Sequence, residues 1–351
     1  ITIPVLTATQ LLYYIFISHK KLFYPVLIEN ILQPVIKILA VGIALFLGLG
    51  LTAWIGIHVA IILLIMAAAL YILHRNLLKW WRSTEEQPID TKEIFHYTWP
   101  LSISAVLTLS MAQIMPLVLG FYRPPAEVAV FTIYFATISI LVVMENAVAK
   151  IFKPIASENG QLLLIETNFL FKRIVRWSLL FAGAATVIVT FYGRQIILLL
   201  FSKSYLLTPE ALIILAAGFF VSNITGPTSA LLESQGKTKL LLGLTVLHIS
   251  LVTSLSFLLI PRSGLIGAAA AFSISYALIN LITIIYTKKH FDINPFSRRL
   301  LNASLVLIIF AGVTWLAKIF LPVSTLWLIA IGIVLLIIFT GLIWVGKAGE
   351  K

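Results

Sequence analysis

The sequence has no cysteine and unusually few charged residues. The absence of cysteine excludes disulfide bonds and metal sites built on thiolates. Only 11% of the 351 residues are charged, whereas a typical soluble domain has about 25%. Hydrophobic residues make up 60% of the chain and the mean hydropathy is +1.06. This composition excludes a water-soluble globular protein and predicts a polytopic, all-α membrane protein.

The sequence contains many long apolar segments. A run of about 20 apolar residues is long enough to cross the hydrocarbon core of a bilayer as a helix. The chain begins with Ile1 rather than Met, and no charged segment precedes its first apolar run, so we expect a front portion to be missing. We predict a partial span at residues 1–17 and ten complete spans, at 27–49, 54–73, 97–121, 128–148, 174–192, 211–232, 240–260, 265–286, 301–320 and 326–345.

The basic residues are distributed unequally between the two sides that these spans define. Of the 25 lysines and arginines, 19 fall on one side, 5 fall on the other, and Lys37 lies inside a span. Cytoplasmic loops carry the excess of Lys and Arg in membrane proteins, so the richer side is predicted to be cytoplasmic. The net charge of +12 is therefore explained by topology, and nucleic-acid binding is not predicted.

Large loops are also lacking. The outer connections at residues 122–127, 261–264 and 321–325 are short, and the longest cytoplasmic stretch, 74–94, has room for little more than an interfacial helix. A membrane glycosyltransferase, polymerase or ligase would need a large outer loop with acids or arginines. We therefore predict that the chain is not an enzyme and has no catalytic residues, metal site or cofactor.

One apolar segment, residues 222–241, contains a helix break. Gly226 and Pro227 interrupt the predicted span 211–232 just before a basic turn at Gly236. Proline removes a backbone donor, and lipid cannot satisfy the carbonyl that loses it. We predict that this face of the helix looks onto other helices or a wet cavity. The break is either a hinge for transport or a static kink that shapes packing.

Ionisable side chains inside spans are candidates for function. Lys37 shares a helical face with Gln33 and Glu29 at i+4 spacing, and it either contacts substrate or is neutralised by Glu29 or by an acid on a missing helix. Glu145 lies about one turn inside its span and either carries a coupling ion or pairs locally with Lys150.

Uncharged polar side chains inside spans form a second group of candidates. Each of them either faces a substrate cavity or makes a hydrogen bond between helices; they are Gln113, Asn223, His248 and Asn280.

Parts of the sequence resemble a known family. Three stretches of the chain look like Wzx-type polysaccharide transporters: the run from Gly226 to Leu281, WPLSISAVLTLSMAQIMPLVLGFYRPPAEVAVF at 99–131, and FKPIASENGQ at 152–161. These are the lipid-linked oligosaccharide flippases of the MOP (MATE-like) superfamily. A weak repeat agrees: basic residues flank the hairpins at 20–75 and 237–289 in the same direction, as in two-lobed transporters.

The resemblance implies both a fold and a function. It implies two helical lobes, of which residues 1–94 would be the remainder of the first with its cytoplasmic linker, residues 95–290 the second, and residues 291–351 two additional helices. It implies flipping of a polyprenyl-diphosphate-linked oligosaccharide across the cytoplasmic membrane for O-antigen, capsule or similar polysaccharide. Membrane lipids and the polysaccharide polymerase and chain-length machinery would be partners.

The resemblance also suggests roles for the candidates. An anionic diphosphate favours Lys37 as a substrate contact, joined by Gln33, Gln113, Asn223 and His248. The rival within the same superfamily is a MATE-like, cation-coupled exporter of small molecules, which usually stops at twelve helices.

Overall fold

The computed structural model is almost entirely helical in the part of the chain that it describes, with short turns between the helices. It describes residues 2–18, 23, 26–81, 91–139, 141, 149, 152, 153, 156, 164–225, 227–291 and 298–320. The chain divides into two compact units, Ile1–Asp90 and Thr91–Lys351. The predicted division into 1–94, 95–290 and 291–351 stays a prediction.

Unit 1 consists of three α-helices and one π-helix. Apolar side chains from all four elements meet in one cluster, because each element carries a mostly apolar sequence that must find another apolar surface. The buried members of the cluster are Tyr13, Ile28, Ile61, Ile65 and Ala69. The elements are α1 (Thr2–Ser18), the π-helix Val26–Leu32, α2 (Gln33–Phe46) and α3 (Leu51–Trp81).

The π-helix ends where a proline follows. Pro34 occupies the first turn of α2, and it has no backbone N–H to donate to the carbonyl one turn earlier. A wider turn before Pro34 removes the clash between its ring and that carbonyl, which is one known cause of a π-bulge inside a helix.

The described part of unit 2 contains six longer helices and one short helix. A single 3₁₀ turn, Lys203–Tyr205, connects two of them. The helices are α4 (Thr91–Tyr122), α5 (Pro125–Ile138), α6 (Leu164–Leu200), α7 (Pro209–Thr225), the short α8 (Thr228–Ser234), α9 (Thr238–Phe291) and α10 (Arg298–Phe320). Helix α9 packs mainly against α4 and α7, and α6 packs against α7 and α10.

Helix α9 is a hairpin of two membrane-length arms rather than one rod. Gly264 has φ 50° and ψ −124°, a backbone conformation that helical residues do not adopt. The carbonyl of Leu259 packs against the backbone of Gly267, whereas eight residues of continuous helix would separate them by about 12 Å. The chain therefore turns back at the place where the sequence predicts the outer loop 261–264.

The break at Gly226 and Pro227 is present as a bend. Helix α7 ends at Thr225 and α8 begins at Thr228, with an angle of 43° between them. Pro227 is buried and has φ −79° and ψ 52°, so it cannot continue the helix. Gly226 lies outside the described residues.

The described helices correspond to only some of the predicted membrane spans. Six described helices are long and apolar enough to cross a membrane, or seven if α7 and α8 form one broken span. The α9 helix counts once in that number although it contains two predicted spans. The predicted span 326–345 and the second half of 128–148 lie outside the described residues, so the predicted count of ten stays a prediction.

Contacts at the helix ends pair residues that the charge pattern assigns to the same side. On the predicted cytoplasmic side, the Tyr97 hydroxyl donates to the Glu233 carbonyl at 3.1 Å. On the predicted outer side, Arg123 Nη2 donates to the Pro261 carbonyl at 3.2 Å. In both contacts, the helix ends that meet are ends that the alternating basic loops assign to the same side of the membrane.

Candidate functional site

A cavity of about 590 Å³ lies inside unit 2. Its walls come from α4, α5, α7, α8 and both arms of α9, so the hairpin at Gly264 and the bend at Pro227 together shape it. A volume of this size lies in the usual range for small-molecule and cofactor sites. Its lining residues are Thr108, Met111, Ala112, Phe135, Ser139, Phe219, Ser229, Leu241, Leu244, Thr245, His248, Phe272, Tyr276, Ile279, Asn280 and Thr283.

Aromatic rings form a continuous chain along one wall of the cavity. Phe135 meets Phe272 edge-on at 5.2 Å between ring centroids, and Phe272 stacks on Tyr276 at 5.5 Å. Phe219 contacts Phe135, Phe272 and Tyr276 at 5.7, 5.3 and 5.4 Å. Offset and edge-to-face pairs at these separations are mutually favourable. They hold this wall in a fixed shape.

His248 extends this aromatic wall with a titratable group. Its ring stacks on Tyr276, with centroids 5.5 Å apart and an interplanar angle of 22°. The side chain is 8% exposed, and Nε2 is buried without a hydrogen-bond partner among the described residues. An unsatisfied buried polar atom costs about 1–3 kcal/mol. A ligand group in the cavity that bonds to this imidazole would recover that cost.

Asn280 contributes a second polar group, held by two hydrogen bonds. Its Nδ2 donates to the Tyr276 carbonyl at 2.9 Å, and its Oδ1 accepts from Thr225 Oγ1 at 3.0 Å. Thr225 is the last residue of α7, immediately before the bend. Asn280 therefore ties the second arm of α9 to the helix end at the Gly-Pro break.

The lining is polar without being charged. Apart from His248, its polar side chains are hydroxyls of Ser, Thr and Tyr and the amide of Asn280; no Asp, Glu, Lys or Arg is among the lining residues. No group of three or more His, Cys, Asp or Glu side chains suited to a metal ion occurs in the described part of the chain. The described lining residues can offer hydrogen bonds to a neutral polar ligand, and none of these described residues carries a fixed charge for an ion pair.

Of the four uncharged candidate residues, two are among the described lining residues of the cavity and two are not. His248 and Asn280 line the cavity. Gln113 is exposed on α4 and is not among the lining residues, although its neighbour Ala112 is. Asn223 is buried in α7, where its Nδ2 donates to the Phe219 carbonyl at 3.0 Å and its Oδ1 has no partner in the described structure.

The remaining candidates lie in unit 1 or outside the described residues. Lys37 and Gln33 are half-buried in α2, and Glu29 is half-buried in the π-helix. Gln10 Nε2 donates to Glu29 Oε1 at 3.3 Å. Glu145, the predicted ion-coupling residue, lies outside the described residues.

The aromatic wall was not among the features predicted from the sequence. Phenylalanine is frequent in this chain, with 22 residues, and a ring every few residues in an apolar span is the ordinary signature of lipid contact or packing. The spacing of Phe272, Tyr276 and Asn280 at four residues each was the available signal, since it places all three on one helical face.

The chain is similar to proteins of polysaccharide biosynthesis. The family model described as polysaccharide biosynthesis protein matches residues 1–159. The capsular polysaccharide biosynthesis protein CapF of Staphylococcus aureus is 29% identical over 204 residues, which is 56% of this chain and 50% of CapF. The chain thus covers about half the length of this curated relative.

One solved structure is similar in fold, and a second aligns with part of the chain. The lipid II flippase MurJ, in an inward closed conformation, aligns with a TM-score of 0.64 at 18% identity, over 99% of this chain and 73% of MurJ. A MOP superfamily transporter from Pyrococcus furiosus Vc1 aligns with a TM-score of 0.47 at 19% identity, over 64% of this chain and 53% of that chain. The likeness to MurJ confirms the predicted fold class, an all-α polytopic membrane protein.

Proposed function

We propose that this chain is a Wzx-like flippase of the MOP superfamily and that it translocates a lipid-linked oligosaccharide precursor for cell-surface polysaccharide, as its similarity to the polysaccharide biosynthesis family, to CapF and to the fold of MurJ supports. The likeness in fold to the flippase MurJ supports a transporter rather than an enzyme. The match to the polysaccharide biosynthesis family is the observation that carries this proposal, and CapF supports it by belonging to capsule synthesis.

The cargo in this proposal is a polyprenyl-diphosphate-linked oligosaccharide, moved across the cytoplasmic membrane by alternating access. Such a molecule has a neutral or weakly charged glycan that must avoid hydrocarbon, an anionic diphosphate and a tail that stays in lipid. Neutral hydrogen-bonding groups suit a glycan, and the described lining of the cavity in unit 2 presents such groups beside aromatic side chains. O-antigen, capsule or a similar polymer would be the product, with the polymerase and chain-length machinery acting on the flipped precursor.

Lys37 is the proposed contact for the diphosphate, with Gln33 beside it. A lysine ammonium binds phosphate as a point charge, and Lys37 is the one lysine or arginine well inside a predicted span, since Arg176 and Lys318 lie within three residues of span ends. The cavity residue proposed for the glycan is His248, since its imidazole nitrogen lacks a partner.

A flipping assay on the full-length protein tests the proposed function. The purified protein is reconstituted in vesicles with a fluorescent polyprenyl-diphosphate oligosaccharide, and an impermeant reductant reports the fraction exposed outside. We expect exposure to rise above the protein-free level. The same vesicles are loaded with a fluorescent organic cation to test the rival exporter. Transport of the cation without any flipping of the lipid-linked sugar would replace this proposal with the exporter.

A further inference from the structure

The tight turn between α8 and α9 leaves the start of α9 without a side-chain cap. The Lys237 N–H donates to the Leu232 carbonyl at 2.9 Å, and the Gly236 N–H donates to a second carbonyl of α8 at 3.0 Å. This pair of bonds is a Schellman motif, and Gly236 supplies the left-handed residue that it needs, with φ 69°. Helix α9 begins at the next residue, Thr238. Lys237, which precedes it, has no side-chain acceptor for the first amides of the helix.

A second cavity, of about 420 Å³, lies against this turn. One wall is formed by residues 236–240, and the other by Glu93, His96 and Tyr97 near the start of α4. It shares no described lining residue with the cavity that contains His248. The first amides of a helix have no acceptor within that helix, and the positive end of the helix dipole lies beside them. The wall formed by α9 therefore favours an anion.

Thr238 adds a buried hydroxyl to this cavity. The residue is only 2% exposed, yet it is part of the lining. Its hydroxyl has no hydrogen-bond partner among the described residues. Most buried polar side-chain atoms have a partner, so this hydroxyl points to a ligand that accepts a hydrogen bond. An anionic oxygen in the cavity would accept from it as well as from the amides of α9.

The lining is positive on balance. Lys237 and Lys239 are both exposed at the turn, and neither forms an ion pair with a described residue. Two lysines against the single carboxylate of Glu93 leave a net charge of +1, before His96 is counted. The fixed charges thus favour the same sign of ligand as the amides do.

Contacts at the end of α8 hold this cavity in shape. The Glu233 carboxylate pairs with Lys153 Nζ at 2.6 Å, so it is engaged away from the two lysines of the turn. The Glu233 carbonyl accepts from the Tyr97 hydroxyl at 3.1 Å, which fastens the α4 wall to the end of α8. A site that is formed in advance binds its ligand with a smaller loss of conformational entropy.

The cavity lies at the predicted cytoplasmic boundary of the membrane. The charge pattern assigns the turn at 236–240 to the cytoplasmic side. Ile94 and Phe95 lie between the lining residues Glu93 and His96 on α4, and they are 53% and 69% exposed. Exposed apolar side chains at this level suit the acyl chains of the leaflet. Basic pockets between helices on the cytoplasmic side are typical sites for anionic lipid headgroups.

The residue types of the turn also resemble the end of a nucleotide phosphate loop. Gly236-Lys237-Thr238 has that order, but the loop needs a strand before it and a glycine five residues earlier. Here the helix α8 precedes the turn, and Leu231 stands in the position of that glycine. The turn thus has the chemistry for a phosphate group without the frame for a nucleotide.

From these observations we propose that the cavity between the first turns of α4 and α9 binds the phosphate group of an anionic lipid in the cytoplasmic leaflet. The phosphate oxygens accept from the amides of residues 238–240 and from the Thr238 hydroxyl, and Lys237 and Lys239 supply the charge. This site is separate from the cavity proposed for the glycan. It would anchor the start of α9, and with it the turn after the bend at Pro227, to the membrane surface.

Hydrogen–deuterium exchange of the full-length protein in lipid nanodiscs tests the site, because the amides of residues 238–240 are themselves the proposed donors. One set of nanodiscs contains phosphatidylcholine alone, and the other contains phosphatidylcholine with phosphatidic acid. We expect exchange at these amides to slow by about tenfold with phosphatidic acid, the factor that one hydrogen bond to a charged group supplies. Equal exchange in the two lipids would overturn the proposal.

A pair of double variants tests the charge. Lys237→Gln with Lys239→Gln should abolish the slowing. Lys288→Gln with Lys289→Gln is the matched control, since it removes the same charge from exposed positions at the other end of α9, on the same predicted side, and it should keep the slowing. Slowing that is lost in both would be a general attraction to the basic surface, and slowing that is kept in both would exclude the two lysines. Either result would overturn the site.

Substitutions at Thr238 test the hydroxyl. Thr238→Val removes it at nearly the same volume, so the slowing by phosphatidic acid should become smaller. Thr238→Ser keeps the hydroxyl and should retain the slowing. Wild-type slowing in Thr238→Val would remove this side chain from the site.

A soluble-phosphate arm identifies the source of the phosphate group. Nanodiscs of phosphatidylcholine alone receive sodium phosphate, with sodium chloride at the same ionic strength as the reference. We expect less slowing than with phosphatidic acid, because the lipid is already concentrated at the membrane surface. Slowing by sodium phosphate but not by phosphatidic acid would overturn the assignment to a lipid. Because none of these measurements involves the lipid-linked sugar, their failure would leave the proposed translocation untouched.

Discussion

At the scale of single residues, His248 combines three properties that seldom occur together in a membrane span. It is buried, it stacks on a tyrosine, and its Nε2 has no partner in the described structure. A histidine kept only for packing could be replaced by a hydrophobic ring of similar size. A histidine that binds cargo could not, because the ligand would lose its hydrogen bond.

His248→Phe separates these two roles. The phenyl ring preserves the stack on Tyr276 but cannot form a hydrogen bond, so we expect flipping to fall by up to about tenfold, the equivalent of one hydrogen bond of about 1.4 kcal/mol. Protein abundance in the membrane should not change. The measurement is the initial flipping rate in vesicles.

The chain offers a matched control for this substitution. His290 stacks on Tyr286 at 4.0 Å, but it is exposed near the end of α9. His290→Phe should therefore keep the wild-type rate. Equal rates for both variants would mean that His248 serves packing alone.

Lys37 provides the second prediction at this scale. If it contacts the diphosphate, Lys37→Ala should reduce flipping without lowering abundance, and Lys37→Arg should retain more activity because it keeps the charge. Lys289→Ala, at an exposed lysine near the predicted cytoplasmic end of α9, is the control. Wild-type flipping rates in Lys37→Ala would remove this residue from the site.

At the scale of helices, α7 and the second arm of α9 lie unusually close. A Cβ added at Gly218 would lie 2.7 Å from the Cα of Ser273 and 2.5 Å from its hydroxyl oxygen. Ser273 Oγ in turn donates to the Ile214 carbonyl at 2.8 Å. Small residues at such a crossing let helices pack backbone to backbone in lipid, where close packing and hydrogen bonds replace the hydrophobic effect.

Gly218→Ala should therefore destabilise the protein, although alanine favours helices. The added methyl group meets the Cα of Ser273 as well as its side chain, and the Cα cannot rotate away, so we expect a loss of about 1–3 kcal/mol, measured as a lower midpoint of thermal unfolding in detergent. Gly243→Ala is the control, since no atom lies within 4 Å of the Cβ it would add. That variant should be neutral or slightly more stable, and a similar loss in both would contradict the packing explanation.

The bend between α7 and α8 carries the prediction about motion. Pro227→Ala restores a backbone N–H, so we expect the 43° bend to become smaller and the balance of inward-open and outward-open states to shift. Spin labels near Arg75 and Lys237 report this as a changed distance distribution. If the distribution and the transport rate both stay at wild-type values, the break is a packing feature and not a hinge.

At the scale of the whole molecule, the strongest expectation is its orientation in the membrane. Cysteines placed at Lys79, Lys172, Lys237 and Lys289 should resist an impermeant thiol reagent in intact cells, because the excess of basic residues assigns all four to the cytoplasm. A cysteine at Lys203, which is exposed in the 3₁₀ turn on the predicted outer side, should react. This chain contains no native cysteine to interfere. Labelling of any of the four cytoplasmic positions would contradict the order of the spans.

Several features of this protein follow from the sequence alone because their causes are local. Hydropathy determines that a segment enters lipid, and the distribution of Lys and Arg determines which end stays inside. Proline lacks a backbone N–H in any environment, so the break at Pro227 could be predicted without knowing which residues pack against it. The turn at Gly264 follows in the same way, since it separates two apolar runs that are each long enough to span.

Tertiary structure decided which side chains meet. His248 and Tyr276 are 28 residues apart and stack only because the two arms of α9 fold back on each other. Glu29 faced Lys37 by sequence spacing, yet its described hydrogen bond is to Gln10, on another helix. In an apolar chain, every face of a helix can be buried against protein or exposed to lipid at similar cost. Periodicity therefore does not say which helix face lines a cavity. The close approach of two helix backbones, as at Gly218 and Ser273, determines which faces pack against each other.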